Sequence, residues 1–494
     1  MRRCRRYGRG KFVIAAVLCM TLASWSESHA RGPGPRPYAP TWESVSQHPL
    51  PQWYADAKFG IIVHWGLYSV PAWALPRPAG NFSWPPVEDL TPEFFAHLPY
   101  SEWYLNSLRL PGSPTQEHHL QTYGLQFDYL DFIPAFNEGA ARWRPDDWAE
   151  LFASVGARYV LITSRHLDGF QLWPSTFTNP NRAPNQQHAA RDIVGEFTAA
   201  IRARGMRVGF YKGGRDMGFQ PLPVYDLLSF IAAVPETAEY EQYLLGEWRE
   251  LIRLYRPSIL WNDAGSPCVN DLLCLNVPTL FADYYNQVPD GLVDNRWTPL
   301  FFIPHHADFL TEEYTAPASI LPKKWELVRA IGTSFGYNRN ERSEDLATVK
   351  DLVALLVDAV SKNGNMMLGV GPRVDGTIPE IQVERLRGIG RWLEGNGEAI
   401  YGSTYWLTHG FDLPGGPSVR YTRRGGTLYA ILLGRPQQGT IVLPDLLLAP
   451  GTEIRLLGGA QPLQWRQLTT GVLIEVGELP TTEADAYTLE IPLP

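Results

Sequence analysis

Between residue 58 and about residue 402 the chain keeps setting a short, nearly unbroken apolar run after an amphipathic helical stretch. That alternation restricts the fold more than any other feature. FGIIVHWG opens the series. RPDDWAELFASVGAR then runs into YVLIT, DIVGEFTAAIRARG into MRVGFY, and AEYEQYLLGEWRELIRLY through Pro257 into SILWND. LVDNRW follows, and SEDLATVKDLVALLVDAVSK leads into MMLGVGP. Strands apolar on both faces belong in a parallel sheet covered by helices. This many units over roughly 360 residues favours a closed (β/α)8-like barrel over an open doubly wound sheet. No Gly-rich dinucleotide fingerprint follows the first strand, which argues further against the open sheet.

After TIPEIQVERLRGIGRWLEGNG the period changes from helical to alternating. SVRYTRR, GTLYAILLG, GTIVLP, EIRLLG, GVLIEVG and AYTLEIPL are short strands broken by Gly and Pro. They predict a small C-terminal antiparallel β-sandwich. The N-terminus is a third kind of segment. MRRCRRYGRGK carries six basic residues, FVIAAVLCMTLA is apolar, and SWSESHA offers Ser28 and Ala30 as small residues before a cleavage point. This order is that of a secretory signal peptide, and the apolar run falls short of the roughly 20 residues of a membrane span. The expected organisation is a signal peptide over 1–30, a barrel over 31–402 and a sandwich over 403–494. The mature protein is expected to be secreted or periplasmic, with no membrane span.

Charge narrows the partners. The whole chain carries −8, and removing the +5 of residues 1–30 leaves −13, which argues against nucleic acid. Of the cysteines, only Cys268 and Cys274 lie beyond the leader; they read either as a small loop-closing disulfide or as two free thiols. No four-ligand metal spacing is present, and the adjacent pairs His118-His119 and His305-His306 do not face the same way on regular structure. No metal or other cofactor is expected.

Active sites of β/α barrels gather where the strands end at their carboxyl side. Those ends carry His64 and Trp65 after FGIIV, His166 after YVLITSR, Tyr211 and Lys212 after RVGF, Asp263 after SILWN, and Arg296 after LVDN. Asp263 sits between an apolar strand and a Gly-containing turn, a placement that suits a nucleophile or general base as well as a turn residue. A partner acid is available in ADFLTEEY, which holds Asp308, Glu312 and Glu313. Two carboxyls flanking one bond are what glycosidic cleavage requires.

KFGIIVHWGLYSVPAW, YVLITSRHLDGFQLWPS, ILWNDAG, YNQVPDGLVDNRW, WELVRAIGTSFGYN and the long segment from LVDAVSKNGN to GEAIYG resemble, in order and spacing, the α-L-fucosidases of glycoside hydrolase family 29. The resemblance covers about residues 42–410. It implies a retaining hydrolase acting on fucosylated oligosaccharides or glycoconjugates, with Asp263 as nucleophile and Glu313 as acid/base, Glu312 being the alternative if the register slips by one. It implies further that His64 and His166 bind fucose hydroxyls and that Glu102 and Trp103, in SEWYLNSLRL, hold the sugar. Trp65, Tyr211 and Arg296 complete the expected substrate-binding set.

Three positions depart from the family pattern. Leu167 stands where a second histidine is usual, Tyr211 lies in a segment one residue short, and Gly369 replaces a common Asn. A lost histidine removes a hydrogen-bond partner for a sugar hydroxyl, at ~1–3 kcal/mol. The alternatives are therefore a fucose-binding homologue with weakened catalysis and a glycosidase for an L-galactose-like sugar.

Overall fold

The computed structural model describes residues 37–494 except 79–81, 221, 232–233, 269–273, 299–305, 414–415 and 494. The expected signal peptide lies outside the described residues. Eight parallel strands form one curled sheet: β1 (Phe59–Val63), β2 (Tyr159–Arg165), β3 (Arg207–Gly213), β4 (Ile259–Asp263), β5 (Leu292–Val293), β6 (Leu310–Glu313), β7 (Trp325–Ala330) and β8 (Gly364–Val370). Their spatial order, β5-β4-β3-β2-β1-β8-β7-β6, is that of a barrel. β1, β2 and β8 are buried along their whole length, as their two-sided apolar pattern requires.

Closure differs from the expectation of a complete barrel. Among the described residues no ladder joins β5 to β6, and a backbone hydrogen bond together with side chains stitches this seam instead. The Val293 amide donates to Asp308 Oδ2 at 2.7 Å, and the Asp308 amide donates to the Val293 carbonyl at 2.9 Å. The Thr311 amide donates to Asn295 Oδ1 at 3.0 Å. Asp308 itself is buried and held by His48 and Tyr285. β5 is only two residues long and pairs with β4 on its other side, so towards β6 polar side chains help to satisfy the exposed backbone.

Helices cover the outside. Pro145–Ser154, Ile193–Ala203, Ala238–Tyr255, Val349–Ser361 and Glu380–Asn396 occupy the segments that helical periodicity marks. Asp192, Thr237 and Thr348 start three of them, each side chain accepting a first-turn amide. Asn276–Gln287 is an additional helix, and β6 and β7 are strands the sequence pattern did not single out.

The C-terminal region forms two antiparallel sheets. One holds Thr404–Asp412, Ser418–Arg424, Thr427–Leu433, Arg455–Leu456 and Ala486–Pro492; the other holds Thr440–Pro444, Gln464–Leu468 and Gly471–Glu475. Val419, Leu432, Leu443, Ile474 and Leu489 fill the space between them, the packing of a β-sandwich. It is tied to the barrel helices by Arg420 to Asp358 at 2.7 Å and by the Trp392 indole donating to the Ala486 carbonyl at 3.1 Å. Cys268 and Cys274 are disulfide-bonded. No helix among the described residues is long and apolar enough to cross a membrane.

Candidate active site

The carboxyl ends of the strands surround a cavity of about 490 Å³. His64, Glu102, Trp103, His166, Tyr211, Asp263, Arg296, Glu312 and Glu313 all line it. Trp65 does not. Its indole turns into the core between Phe136, Trp143 and Trp148 and donates to the Arg373 carbonyl at 2.9 Å. The reason is strand alternation: His64 and Trp65 follow β1 on opposite sides, so only one of them faces the cavity.

Two carboxylates face each other across Arg296. Asp263 closes β4 and Glu313 closes β6, and the next residue in each case has left-handed backbone, Ala264 at φ 68° and Tyr314 at φ 61°. The chain therefore turns sharply away and leaves each carboxylate on the rim. Arg296 Nη1 donates to Asp263 Oδ1 at 3.0 Å and to Glu313 Oε2 at 3.4 Å. A shared donor atom bounds the separation of those two oxygens at about 6.4 Å. Every other carboxylate oxygen is also engaged. Tyr211 donates to Asp263 Oδ2 at 2.7 Å, and Trp84 and Tyr100 both donate to Glu313 Oε1 at 2.8 Å. Burial alone would lower the Arg296 guanidinium, but the adjacent Asp263 and Glu313 carboxyls hold it above its ordinary range, so it stays charged. Glu312 lines the cavity half-buried, and burial raises its carboxyl.

The opposite side is neutral. Burial pushes His64 well below its usual range and His166 down to about 3, so both imidazoles are uncharged at neutral pH. Their buried Nδ1 atoms have no hydrogen-bond partner among the described residues. Tyr211 stacks on His166 at 5.5 Å and on Trp261 at 5.3 Å, which links the two sides through one ring. Glu102 is buried and accepts from the Gly336 amide at 2.8 Å and from Ser334 Oγ at 3.1 Å, and burial pushes its carboxyl up to about 7.

Leu167 is packed away from the cavity. The side chain is fully buried and packs against Gly213, where an added Cβ would stand 2.7 Å from Leu167 Cδ2. It is absent from the described cavity lining. Gly369 acts indirectly, because a Cβ there would meet Phe335 at 2.7 Å, and Phe335 lines the cavity 4.9 Å from His64.

Sequence reasoning missed Trp84, Tyr100, Trp261 and Phe335. Trp261 had a signal, since it lies two residues before Asp263 on one strand and so shares its face. Tyr100 had a weaker one, two residues before Glu102. Trp84 and Phe335 lie on irregular chain with no period to mark them. Among the described residues no group of His, Cys, Asp or Glu could hold a metal ion.

Opposed carboxylates and neutral hydrogen-bonding rings in an aromatic cavity belong to a glycoside hydrolase. The comparisons specify which. The family profile described as Alpha-L-fucosidase matches residues 26–398, and Alpha-L-fucosidase C-terminal domain matches 416–492. The tissue alpha-L-fucosidase of Homo sapiens is 32% identical over 485 residues, covering 96% of this chain and 95% of that one. The Thermotoga maritima alpha-fucosidase in complex with fucose is 40% identical, spans 92% of this chain and 100% of its own, and superposes with a TM-score of 0.79. The same enzyme with a mechanism-based inhibitor gives 39% identity, the same coverage and a TM-score of 0.80. The chain belongs to the alpha-L-fucosidase family.

Proposed function

We propose that the protein is an exported, retaining α-L-fucosidase that removes terminal α-linked L-fucose from oligosaccharides or glycoconjugates. Asp263 attacks the anomeric carbon while Glu313 protonates the departing glycosidic oxygen, leaving fucose as an ester on Asp263. Glu313 then takes a proton from water, which displaces Asp263 at the same carbon and returns the original configuration. Arg296 offsets the charge of both carboxylates, and Tyr211 orients the nucleophile. Neutral His64 and His166 have ring nitrogens with no partner among the described residues, ready to exchange hydrogen bonds with sugar hydroxyls, and Glu102 accepts from another.

The observation that carries this reading is the single guanidinium nitrogen reaching both carboxyls, which supports an opposed pair working on one bond in this cavity. The fucose and mechanism-based-inhibitor complexes of the Thermotoga relative support the choice of sugar and of a covalent route. Export rests on the basic, apolar and small-residue order of residues 1–30. The test is release of nitrophenol from 4-nitrophenyl α-L-fucoside, with the first-formed anomer read by NMR. We expect α-fucose from the native protein and a loss of at least about a thousandfold in Asp263→Ala. First-formed β-fucose, or an active Asp263→Ala, defeats the assignment.

A further inference from the structure

The cavity is larger than its sugar. Even at the roughly 30 Å³ that a water occupies in the liquid, the eleven non-hydrogen atoms of a deoxyhexose need at most about 330 Å³, against about 490 Å³ here. The remaining space has a definite wall. Trp84 donates its indole N–H to Glu313, the group facing the departing oxygen, so this wall lies on the leaving-group side. Phe230 stands 6.3 Å from Trp84, and Leu90 also lines the cavity. Phe230 is fixed from behind: the buried Arg215 guanidinium lies 4.3 Å over its ring and donates to its carbonyl. Among the described lining residues Arg296 is the sole cation, and it is engaged by both carboxylates. An anionic leaving group would therefore meet carboxylates with no free positive partner.

We propose that Trp84, Leu90 and Phe230 form a leaving-group subsite that takes the apolar face of a neutral pyranose. The substrate then carries fucose on a neutral hexose or N-acetylhexosamine and not on a sulfated or uronic residue. Aromatic rings suit this task because a pyranose face presents C–H groups to their negative faces. Trp84 also joins the subsite to the acid, so a sugar seated there keeps the indole on Glu313. The inference rests on the fucosidase reading.

Three substrates separate the two. α-L-Fucosyl fluoride has a leaving group too small to touch the wall, a neutral fucosyl-galactose disaccharide fills it, and the same disaccharide sulfated on galactose adds charge. We expect Phe230→Ala to lower the ratio of kcat/KM for the neutral disaccharide to that for the fluoride by about tenfold or more, and Phe230→Tyr to restore it within about threefold. In the native protein the sulfated disaccharide should be at least about tenfold poorer than the neutral one. A ratio unchanged in Phe230→Ala, or equal use of the sulfated substrate, overturns the subsite and leaves the fucosidase reading standing. If Phe230→Ala does not fold, the native comparison of neutral with sulfated substrate decides. Failure to hydrolyse the fluoride overturns the fucosidase reading and the subsite with it.

Discussion

At the ends of β1 and β2 the cavity presents His64 and His166, both uncharged and both with a ring nitrogen that no described residue uses. At the ends of β4, β5 and β6 it presents Asp263, Arg296 and Glu313, two acids with a guanidinium between them, all bonded to one another or to a ring donor. The first side lies within a continuous ladder from β1 to β3; the second spans the seam where the ladder fails. The difference follows from what each side meets. A sugar hydroxyl wants partners not yet spent, whereas two like charges brought together need a cation between them before any substrate arrives.

Removing Arg296 tests the charged side most severely. Arg296→Met leaves two carboxylates opposed with no positive charge between them and also cuts the bond from Nε to Thr311 at 2.8 Å across the seam. We expect kcat/KM to fall about a hundredfold to a thousandfold. A merely structural role would lower the melting temperature and leave kcat in the folded fraction near its native value. Arg296→Lys should recover only part of the loss, because an ammonium lacks the fork that serves both acids at once.

The neutral side should respond more gently, and its two neighbouring positions should respond differently. His166→Ala removes one neutral hydrogen-bond partner, so kcat/KM should drop roughly 5- to 150-fold. Leu167→His puts back the residue of the family pattern, yet the native side chain points into packing against Gly213. Activity should not rise, and the melting temperature should fall because a buried imidazole replaces an apolar side chain without a partner. A gain in activity would sink this placement of Leu167.

That contrast also shows what the sequence could reveal. His64, His166, Asp263 and Arg296 were legible because they interrupt or end apolar runs, and a parallel sheet sends such residues to one rim. Trp65 was misplaced because a position beyond a strand end was read without its side of the alternation. The incomplete closure was hidden, since a two-residue β5 has no periodicity to read, Asn295 looks like an ordinary loop residue, and Asp308, a candidate acid by sequence, serves the seam. The left-handed turns after both carboxylates were hidden more deeply. Ala264 and Tyr314 are residue types that give no hint of positive φ, and only the surrounding fold imposes it.

Beneath both sides lies a carboxyl that sharpens the distinction between neutral and charged. Glu326, buried, accepts from Tyr54 at 2.9 Å and from the Trp261 indole at 3.3 Å, and Trp261 carries the Arg296 guanidinium on its face at 4.7 Å. Burial pushes Glu326 up to about 7, from the 4.5 of an exposed glutamate. Between those values the folded protein holds a proton that the unfolded chain has released. The stability from that proton is fully present below pH 4.5 and is lost as pH rises through 7. From pH 6 to pH 8 the loss is about 1.4 kcal/mol for this group. His64 and His166 act in the opposite sense, but only below about pH 6.5, where the unfolded chain begins to gain protons that the folded one refuses. Thermal melts at pH 6 and pH 8 therefore sum the buried acids, Glu102 and Glu341 included, both of which burial also lifts to about 7, with the opposing histidines, and only a comparison with a variant singles out Glu326. Glu326→Gln keeps one acceptor oxygen, enough for Tyr54 but not also for the indole, and cannot titrate, so the part of the change in melting temperature between the two pH values that Glu326 contributes should vanish. An identical change in both proteins would mean that Glu326 is already ionised at pH 6, and the floor of the site would then belong with the charged side.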